Sequence, residues 1–535
     1  MTNPGAQSAY TLSGHTADGK ARATAMQAAG DVSRRPAGIV SYNSAGRLLV
    51  IGNEAALENA GAMLDAHAGI RIAGMVRTDA GPAPVVSGWL GHYELQVPGG
   101  EPQVYDLVLD LGTPPLLGCE LLPPGYLAPG DDPAALQGAV RELAGLTGEF
   151  EKPQYFHYDP SICAHGRSGM TACTRCLDTC PTGAISSLGE TVEVNANLCQ
   201  GAGSCATACP TGAMGYSYPR LSDTLQQLRR LLQTYREAGG EDVVLLFHDA
   251  AAGREAVQRL ATGMPERVIP VEVEEVGSVG MDVWLAALAY GAAAVRLLAT
   301  PCVPAGVLRE VNQQLDVAGQ ILAGMGYPAS VLQLCRAEDA LSGDLPGTAE
   351  RQPAGFAALD EKRSVIRLAV DHLHEVSPSP RPLVSLPAGA PFGEVLVDAA
   401  RCTLCMACVS QCPAHALESG DESPRLVFIE ANCVQCGLCC RTCPEDAIAA
   451  SPRYLYDQQQ RTARRVLNEA EPFLCISCGK PFATRQVIEK ILSRMKGHSM
   501  FQGKDLERLK MCEDCRVRAM FNDEAAGGNP ASPGG

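Results

Sequence analysis

The sequence predicts a multidomain protein that combines α+β and α/β folds. A chain of 535 residues exceeds what one hydrophobic core usually organises, so several domains are expected. Two long stretches alternate short apolar runs with helical patterns, as α/β domains do. The remaining stretches carry most of the 23 cysteines at short, recurring spacings, which indicates small cysteine-rich modules between and after the α/β domains.

The composition argues against several classes of protein. Apolar residues make up 46% and charged residues 19% of the chain, so enough side chains are available to build cores. The net charge of −16 argues against nucleic-acid binding, because a phosphate backbone repels an acidic surface. The longest apolar stretch, 283–295, is shorter than the ~20 residues of a membrane helix, so we expect no membrane span. The N-terminus lacks the pattern of a signal peptide, which predicts a cytoplasmic protein.

The regions without cysteine motifs are divided by composition and periodicity. Residues 1–36 are small, polar and rich in Gly and Ala, so we expect a disordered arm. Apolar runs such as RLLVIG and YDLVLDL predict an α/β domain over 37–150, and VVLLF and AVRLLA predict a second over 221–343. Residues 344–398 predict an extended linker, because they are rich in Pro and Ser. Residues 522–535 are expected to be a disordered tail.

The segment 399–452 contains two complete copies of the pattern C-x2-C-x2-C-x3-C-P, in CTLCMACVSQCP and CVQCGLCCRTCP. Three thiolates at this spacing reach three irons of one 4Fe-4S cluster, while the fourth points toward a second cluster. The two copies are therefore expected to exchange their fourth ligands. The predicted sets are Cys402, Cys405, Cys408 and Cys443 for one cluster, and Cys433, Cys436, Cys439 and Cys412 for the other.

An upstream copy over 151–220 is altered at two positions. Met170 stands at the first ligand position of MTACTRCLDTCP, so Cys163, a few residues earlier, is the expected replacement. His165 is the competing ligand, because an imidazole nitrogen can replace a thiolate at iron. The first cluster of this module is therefore predicted to be held by Cys163, Cys173, Cys176 and Cys209.

The second cluster of the upstream module has three predicted thiolates, from Cys199, Cys205 and Cys180. Ala202 stands where the fourth belongs in CQGAGSCATACP. A 3Fe-4S cluster is the simplest outcome. A 4Fe-4S cluster with water, a small ligand or a distant cysteine at the open corner is the alternative.

Two further C-x2-C pairs lie in the segment 453–521, which we predict to be a zinc-knuckle domain. The intervening TRQVIEKILSRMK has apolar residues at helical spacing, so a helix can bring the pairs together. Four thiolates suit a closed tetrahedral zinc site, while a fifth iron–sulfur centre and free thiols are the alternatives. The predicted ligands are Cys475, Cys478, Cys512 and Cys515.

The two cysteine modules resemble the bacterial two-cluster ferredoxin family. The whole layout is similar to cytoplasmic 4Fe-4S polyferredoxins that are associated with formate dehydrogenase systems. The segment 221–336 resembles the small iron–sulfur subunit of methyl-viologen-type hydrogenases, although it offers only Cys302 and Cys335 as thiols. The resemblance implies low-potential, one-electron transfer between ferredoxin-like modules.

The leading hypothesis is an electron-transfer protein that relays single electrons between redox partners such as a dehydrogenase and a ferredoxin. Nothing in the sequence resembles a catalytic acid–base pair, an activated nucleophile or a nucleotide-binding loop, so we expect an oxidoreductase subunit rather than a self-sufficient enzyme. Two alternatives are kept. In the first alternative, the chain is a factor for the assembly of a metalloenzyme. In the second, it is a redox enzyme that acts at the open cluster corner beside Ala202.

Overall fold

The computed structural model divides the chain into two compact units, which we describe separately. Unit 1 consists of Met1–Gly166 and Cys173–Arg381, and unit 2 consists of Arg167–Ala172 and Pro382–Gly535. None of the helices in the described ranges has the length and apolar character that a bilayer crossing requires. The structure describes residues 12, 14–64, 70–78, 83–339, 347, 352–420, 423–495 and 503–527.

The N-terminal part of unit 1 contains a parallel sheet of order β3-β2-β7-β8, an antiparallel sheet of order β4-β5-β6 and the antiparallel pair β1 and β9. Strands β2 and β7 are buried almost throughout, as expected for central strands of a parallel sheet. The elements are α1 (Ala17–Gly30), β1 (Ile39–Ser44), β2 (Arg47–Gly52), α2 (Glu54–Leu64), β3 (Arg71–Arg77), β4 (Val85–Trp89), β5 (His92–Gln96), β6 (Gln103–Tyr105), β7 (Leu107–Asp110), β8 (Tyr126–Leu127), α3 (Pro133–Ala144) and β9 (Gly148–Pro153).

The upstream cysteine module follows directly and is built from short elements. Strands β10 and β15 pair at its base, and β13 pairs with β14. Its elements are β10 (Phe156–Tyr158), β11 (Gly166–Arg167), β12 (Met170–Thr171), α4 (Arg175–Asp178), β13 (Ile185–Ser187), β14 (Val192–Val194), α5 (Ser204–Ala208) and β15 (Met214–Tyr216).

The second α/β region has a four-stranded parallel sheet of order β17-β16-β18-β19. Every residue of α8 is buried, so this helix forms the centre of the region. The elements are α6 (Leu221–Glu237), β16 (Val244–Asp249), α7 (Ala252–Leu260), β17 (Val268–Val273), α8 (Met281–Ala289), β18 (Ala294–Leu298), α9 (Ala305–Gly324), β19 (Leu332–Cys335) and α10 (Lys362–Glu375).

Unit 2 contains the residues Arg167–Ala172 of the β11–β12 hairpin, the second cysteine module and the C-terminal region. Its sheets have the orders β20-β24-β21 and β22-β23-β25, and β26 pairs with β27. The elements are β20 (Leu383–Ser385), β21 (Gly393–Val397), α11 (Ala407–Ser410), β22 (Leu417–Ser419), β23 (Arg425–Phe428), α12 (Leu438–Thr442), β24 (Ile448–Leu455), α13 (Gln458–Thr462), β25 (Arg465–Glu469), β26 (Pro472–Leu474), β27 (Pro481–Thr484), α14 (Arg485–Met495), α15 (Lys504–Arg508) and α16 (Glu513–Gly527).

The structure corrects the expectation of a disordered arm over 1–36. Residues 1–11 and 13 lie outside the described residues, but α1 packs against α6. Ala21, Ala25 and Ala29 recur at helical spacing on its buried face, and small side chains allow two helices to approach closely. The small residues that suggested disorder instead allow α1 to pack closely against α6.

The expectation of an extended linker over 344–398 is also wrong for part of its described residues, because these include a helix. The segment contains α10, which packs against α8 and buries Val365, Ile366 and Val370, among others. The prolines flank this helix and do not interrupt it, so the proline content of the whole segment was misleading. In the predicted tail 522–535, α16 continues to Gly527 and residues 528–535 lie outside the described residues.

Candidate metal centres

Three of the four cysteine half-motifs share one backbone conformation. In each, the residue two after the first ligand position and the residue after the second ligand position have positive φ. Left-handed residues curve a chain sharply, so each loop wraps around one point, as three thiolates on one cluster require. The pairs are Leu404 (55°) and Met406 (59°), Gln435 (54°) and Gly437 (79°), and Gly201 (80°) and Gly203 (75°).

The half-motif that carries Met170 departs from this conformation. Thr174, which corresponds to Met406, has a φ of −117°. Cys163 follows a 3-10 turn and has φ −72° and ψ 135°. Cys433, the first cysteine of an intact half-motif, also follows a 3-10 turn and has φ −67° and ψ 130°. Cys163 therefore has the local backbone position of a first cysteine, and the hairpin β11–β12 is an insertion between it and Cys173.

Three cavities in the described residues are each lined by one of the predicted ligand sets. Every cavity combines three thiols from one half-motif with the last cysteine of the other, which is the crossed arrangement that the spacing predicts. The sets are Cys402, Cys405, Cys408 and Cys443; Cys412, Cys433, Cys436 and Cys439; and Cys163, Cys173, Cys176 and Cys209.

The electrostatics of these cavities fit a bound cationic group. Burial raises the pKa of Cys408 to about 12, and the neighbouring thiols of Cys405 and Cys402 contribute to the increase. Burial also raises the pKa of Cys176 to about 12, with Cys209 and Cys173 contributing. Several thiolates cannot accumulate in one buried place without positive charge, and iron supplies that charge.

His165 lines the same cavity as Cys163 and Cys173, but its ring nitrogens are engaged elsewhere. It is buried, and both of its ring nitrogens have partners: Nδ1 lies 2.7 Å from the carbonyl oxygen of Cys173, and Nε2 lies 2.7 Å from the hydroxyl oxygen of Ser187. A nitrogen that is engaged in a hydrogen bond has no lone pair available for iron, unless that bond breaks. The structure therefore gives His165 a role in holding the loop around Cys173.

A tight turn follows the last cysteine of each half-motif, and in the second module it directs backbone N–H groups at sulfur. The N–H of Ala416 lies 3.2 Å from Sγ of Cys412, and that of Ala447 lies 3.3 Å from Sγ of Cys443. Such donors stabilise negative charge on sulfur. In all four turns the residue three after the cysteine has positive φ, namely Gly183 (63°), Gly212 (82°), His415 (49°) and Asp446 (46°).

Threonine hydroxyls add a further hydrogen bond in the upstream module. Oγ1 of Thr182 lies 3.4 Å from Sγ of Cys180, and Oγ1 of Thr211 lies 3.5 Å from Sγ of Cys209. The second module has Ala414 and Glu445 at the corresponding positions. The two modules therefore differ in the number of side-chain donors at their crossing cysteines.

Replacing Thr211 with valine is expected to lower the reduction potential of the cluster bound at Cys209. The reduced cluster carries one more negative charge, so a lost donor worth about 0.5–1 kcal/mol shifts the potential by about 20–40 mV. An anaerobic redox titration followed by electron paramagnetic resonance measures this shift. Thr211→Ser keeps the hydroxyl and is the control. An unchanged or higher potential in Thr211→Val would contradict the assignment.

A buried lysine that the sequence analysis did not single out contacts the upstream module. Nζ of Lys362, at the start of α10, donates to the carbonyl oxygens of Ala206 and Cys209 at 3.0 Å each, and also to that of Thr207. Ala206 and Thr207 lie in the last turn of α5 and Cys209 is its C-cap, where carbonyls lack partners within the helix. The Lys362 ammonium therefore connects the backbone next to Cys205 with the backbone at Cys209.

The remaining three thiols of the upstream module belong to Cys180, Cys199 and Cys205. Burial raises the pKa of Cys205 far above its usual value, and the thiols of Cys199 and Cys180 raise it further. The ammonium of Lys152 donates to the carbonyl oxygens of Cys199 at 2.5 Å and Asn197 at 2.9 Å. Burial lowers the pKa of Lys152 to about 8, and the Cys199 thiol opposes this change.

The four C-terminal cysteines form one tight thiol group. The Sγ atoms of Cys475, Cys478, Cys512 and Cys515 all lie within 4.8 Å of one another. The Sγ atoms of Cys478 and Cys512 are 3.7 Å apart. Four sulfurs around one ion at a bond length of ~2.3 Å lie about 3.8 Å apart, whereas thiolates on a 4Fe-4S cluster bind different irons and must lie further apart. The spacing fits a single tetrahedral ion.

Backbone donors favour the thiolate form of one thiol in this group. Burial alone would raise the pKa of Cys475, but backbone N–H groups of Cys512, Cys478 and Ser477 donate to its sulfur and lower the pKa to about 6. The donor from Cys512 lies at 3.3 Å. The strand pair β26–β27 positions the first two cysteines, and the start of α16 positions the last two.

Two segments of the chain, 171–213 and 401–447, match the 4Fe-4S dicluster domain family. A comparison with curated proteins found no match. The matched segments coincide with the two modules that have the crossed cysteine sets. The fold and these sites therefore define an iron–sulfur protein with two ferredoxin-type 4Fe-4S dicluster domains, which support electron transfer.

Proposed function

We propose that this protein is a carrier that relays single electrons between cytoplasmic redox proteins. The observation that carries the proposal is the crossed grouping of thiols in the second module, in which each half-motif lends one cysteine to the other cluster. The upstream module shows the same crossing at Cys209. This grouping keeps the two clusters of a module close to each other, so an electron can pass between them. The resemblance to polyferredoxins suggests a formate dehydrogenase system as the source or destination of the electrons.

The protein groups around each site suit this task. A bound 4Fe-4S cluster supplies reversible one-electron chemistry. The N–H and hydroxyl donors at the crossing cysteines stabilise added negative charge, and burial of Cys402 and Cys408 keeps water away from that side of the site. Cys405 is exposed, so this edge of the second module is where a redox partner approaches most closely.

The relay is tested by stopped-flow spectroscopy of the cluster-loaded chain under anaerobic conditions. We expect a formate dehydrogenase with formate to bleach the iron–sulfur absorption, and an added oxidised ferredoxin to restore it. Cys408→Ala with Cys439→Ala removes one ligand from each cluster of the second module and is expected to slow the relay at least tenfold. Cys440→Ala, beside these ligands in sequence, is the matched control. Bleaching no faster than with formate alone would contradict the formate dehydrogenase partner, and failure with ferredoxin as well would contradict the relay.

We further propose that Cys475, Cys478, Cys512 and Cys515 hold a structural zinc ion. The short distance between Cys478 and Cys512 supports one tetrahedral ion, and four thiolates leave no open position for a substrate. The role of this site is then to fold the C-terminal segment, and it takes no part in electron transfer because zinc has no accessible redox change.

A further inference from the structure

The second cluster site of the upstream module has only three thiols from its own motif, those of Cys180, Cys199 and Cys205. The loop around Ala202 nevertheless keeps the backbone of an intact half-motif, with left-handed residues at Gly201 and Gly203. A Cβ at Gly203 would come within 2.3 Å of Cα of Ser278, so this curvature is also enforced by packing. The loop therefore retains the shape of a cluster-binding loop without a thiolate at Ala202.

A loop of the N-terminal α/β region, between β7 and β8, is held firmly at both ends. At its start, the buried carboxylate of Asp110 accepts hydrogen bonds from the N–H groups of Gly112 at 2.8 Å and Leu116 at 2.7 Å. At its end, the hydroxyl of Tyr93 donates to the carbonyl oxygen of Pro124 at 2.7 Å. The residues between these anchors are thus presented at a defined position.

The middle of this loop is hydrogen-bonded to both halves of the upstream module. The N–H of Leu121 donates to the carbonyl oxygen of Pro181, next to Cys180, at 3.0 Å. The side-chain amide of Gln200, next to Cys199, donates to the carbonyl oxygen of Leu122 at 2.8 Å. Both bonds lie beside cysteines of the three-thiol site, so the loop is attached to that site.

A third bond fixes the loop immediately after Cys119. The carboxylate of Glu120 accepts a hydrogen bond from the N–H of Gly306 at 2.7 Å and lies 3.3 Å from the guanidinium of Arg309. Cys119 lies between this contact and the anchors at the start of the loop. Its backbone is therefore held on both sides.

Cys119 faces Cys180 of the three-thiol site. One cavity is lined by both Cys119 and Cys180, together with residues adjoining them. Ligands of one cluster must be neighbours of this kind.

We propose that Cys119 supplies the fourth thiolate of this site, so that Cys119, Cys180, Cys199 and Cys205 hold a complete 4Fe-4S cluster. On binding, the Cys119 thiol releases its proton to solvent and its sulfur bonds to the fourth iron, without a change of oxidation state. The N-terminal α/β region thereby becomes part of an electron-transfer site that the dicluster motif leaves one ligand short. This revises the sequence expectation of a three-iron cluster beside Ala202.

The proposal is tested with Cys119→Ala in the full chain, purified anaerobically. The wild-type protein is expected to contain about 16 irons in four clusters and to show no three-iron signal in electron paramagnetic resonance when oxidised. Cys119→Ala is expected to lose about one iron and to gain the signal of an oxidised three-iron cluster. Cys302→Ala, which removes an exposed cysteine outside the proposed ligand sets, is the control.

A second substitution tests whether the missing thiolate belongs to the cluster corner beside Ala202. Ala202→Cys in the Cys119→Ala background returns a thiolate to the motif and is expected to restore the fourth iron and remove the three-iron signal. A three-iron signal in the oxidised wild-type chain, or an unchanged iron content and spectrum in Cys119→Ala, would overturn the proposal. These readouts involve no redox partner, so a failed relay with formate dehydrogenase or ferredoxin is a separate result.

Discussion

Replacement of Cys512 with serine is expected to release the C-terminal metal ion and to unfold the segment from β26 to α16. The described residues of this segment bury little besides the thiols, namely Thr484 and Ile488. So small an apolar core cannot offset the conformational entropy of ordering the chain, whereas zinc held by four thiolates contributes on the order of 10 kcal/mol in small domains. The metal is therefore expected to dominate the stability of this segment.

Zinc content by mass spectrometry and limited proteolysis between β26 and α16 measure the two effects. Cys302→Ser is the matched control, because it makes the same replacement at an exposed cysteine outside the proposed ligand sets. Prolonged treatment of the wild-type chain with a zinc chelator is expected to reproduce the protease sensitivity. Iron in place of zinc, or a segment that resists proteolysis after the metal is removed, would contradict the proposed structural zinc.

Replacement of Lys362 with methionine is expected to destabilise the upstream module by about 3–5 kcal/mol. The ammonium donates to three carbonyl oxygens, and its side chain is buried. Methionine fills similar space but leaves these carbonyls without donors, which costs the full desolvation of each group.

The effect is measured as the denaturant concentration at which the chain loses iron–sulfur absorption. Lys362→Met is expected to lose the clusters of the upstream module at a lower concentration than the wild type, while those of the second module persist. Lys20→Met is the control, because Lys20 is exposed on α1. Equal midpoints for both variants and the wild type would show that the three carbonyls do not depend on Lys362.

The sequence predicts those ligands that lie close to one another along the chain. The three crossed thiol sets each form one cavity, and the predicted C-terminal cysteines form one tight group. Cys163 is only a short hairpin away from Cys173, so proximity along the chain identifies it as the candidate replacement for the ligand missing at Met170. A spacing of a few residues restricts where the side chains can point. Such ligands can therefore be predicted without knowledge of the fold.

The expectations drawn from composition were the ones that failed. The Gly- and Ala-rich start of the chain contains α1, and the Pro- and Ser-rich segment contains α10. Composition averages over a window, whereas a helix needs only a run of residues with one apolar face and suitable ends. The run KRSVIRLAVDHLHE has such a face, and helical periodicity applied within the segment would have found it.

By itself, the sequence predicted the class of chemistry, the crossed cysteine sets and the presence of two α/β regions. Only the tertiary structure decided the positions of Cys119 and Lys362. Each lies far along the chain from the module it contacts, and neither belongs to a repeated spacing. Their roles depend on how separate regions of unit 1 pack together. That packing is a sum of many weak contacts between distant residues, which a local pattern does not record.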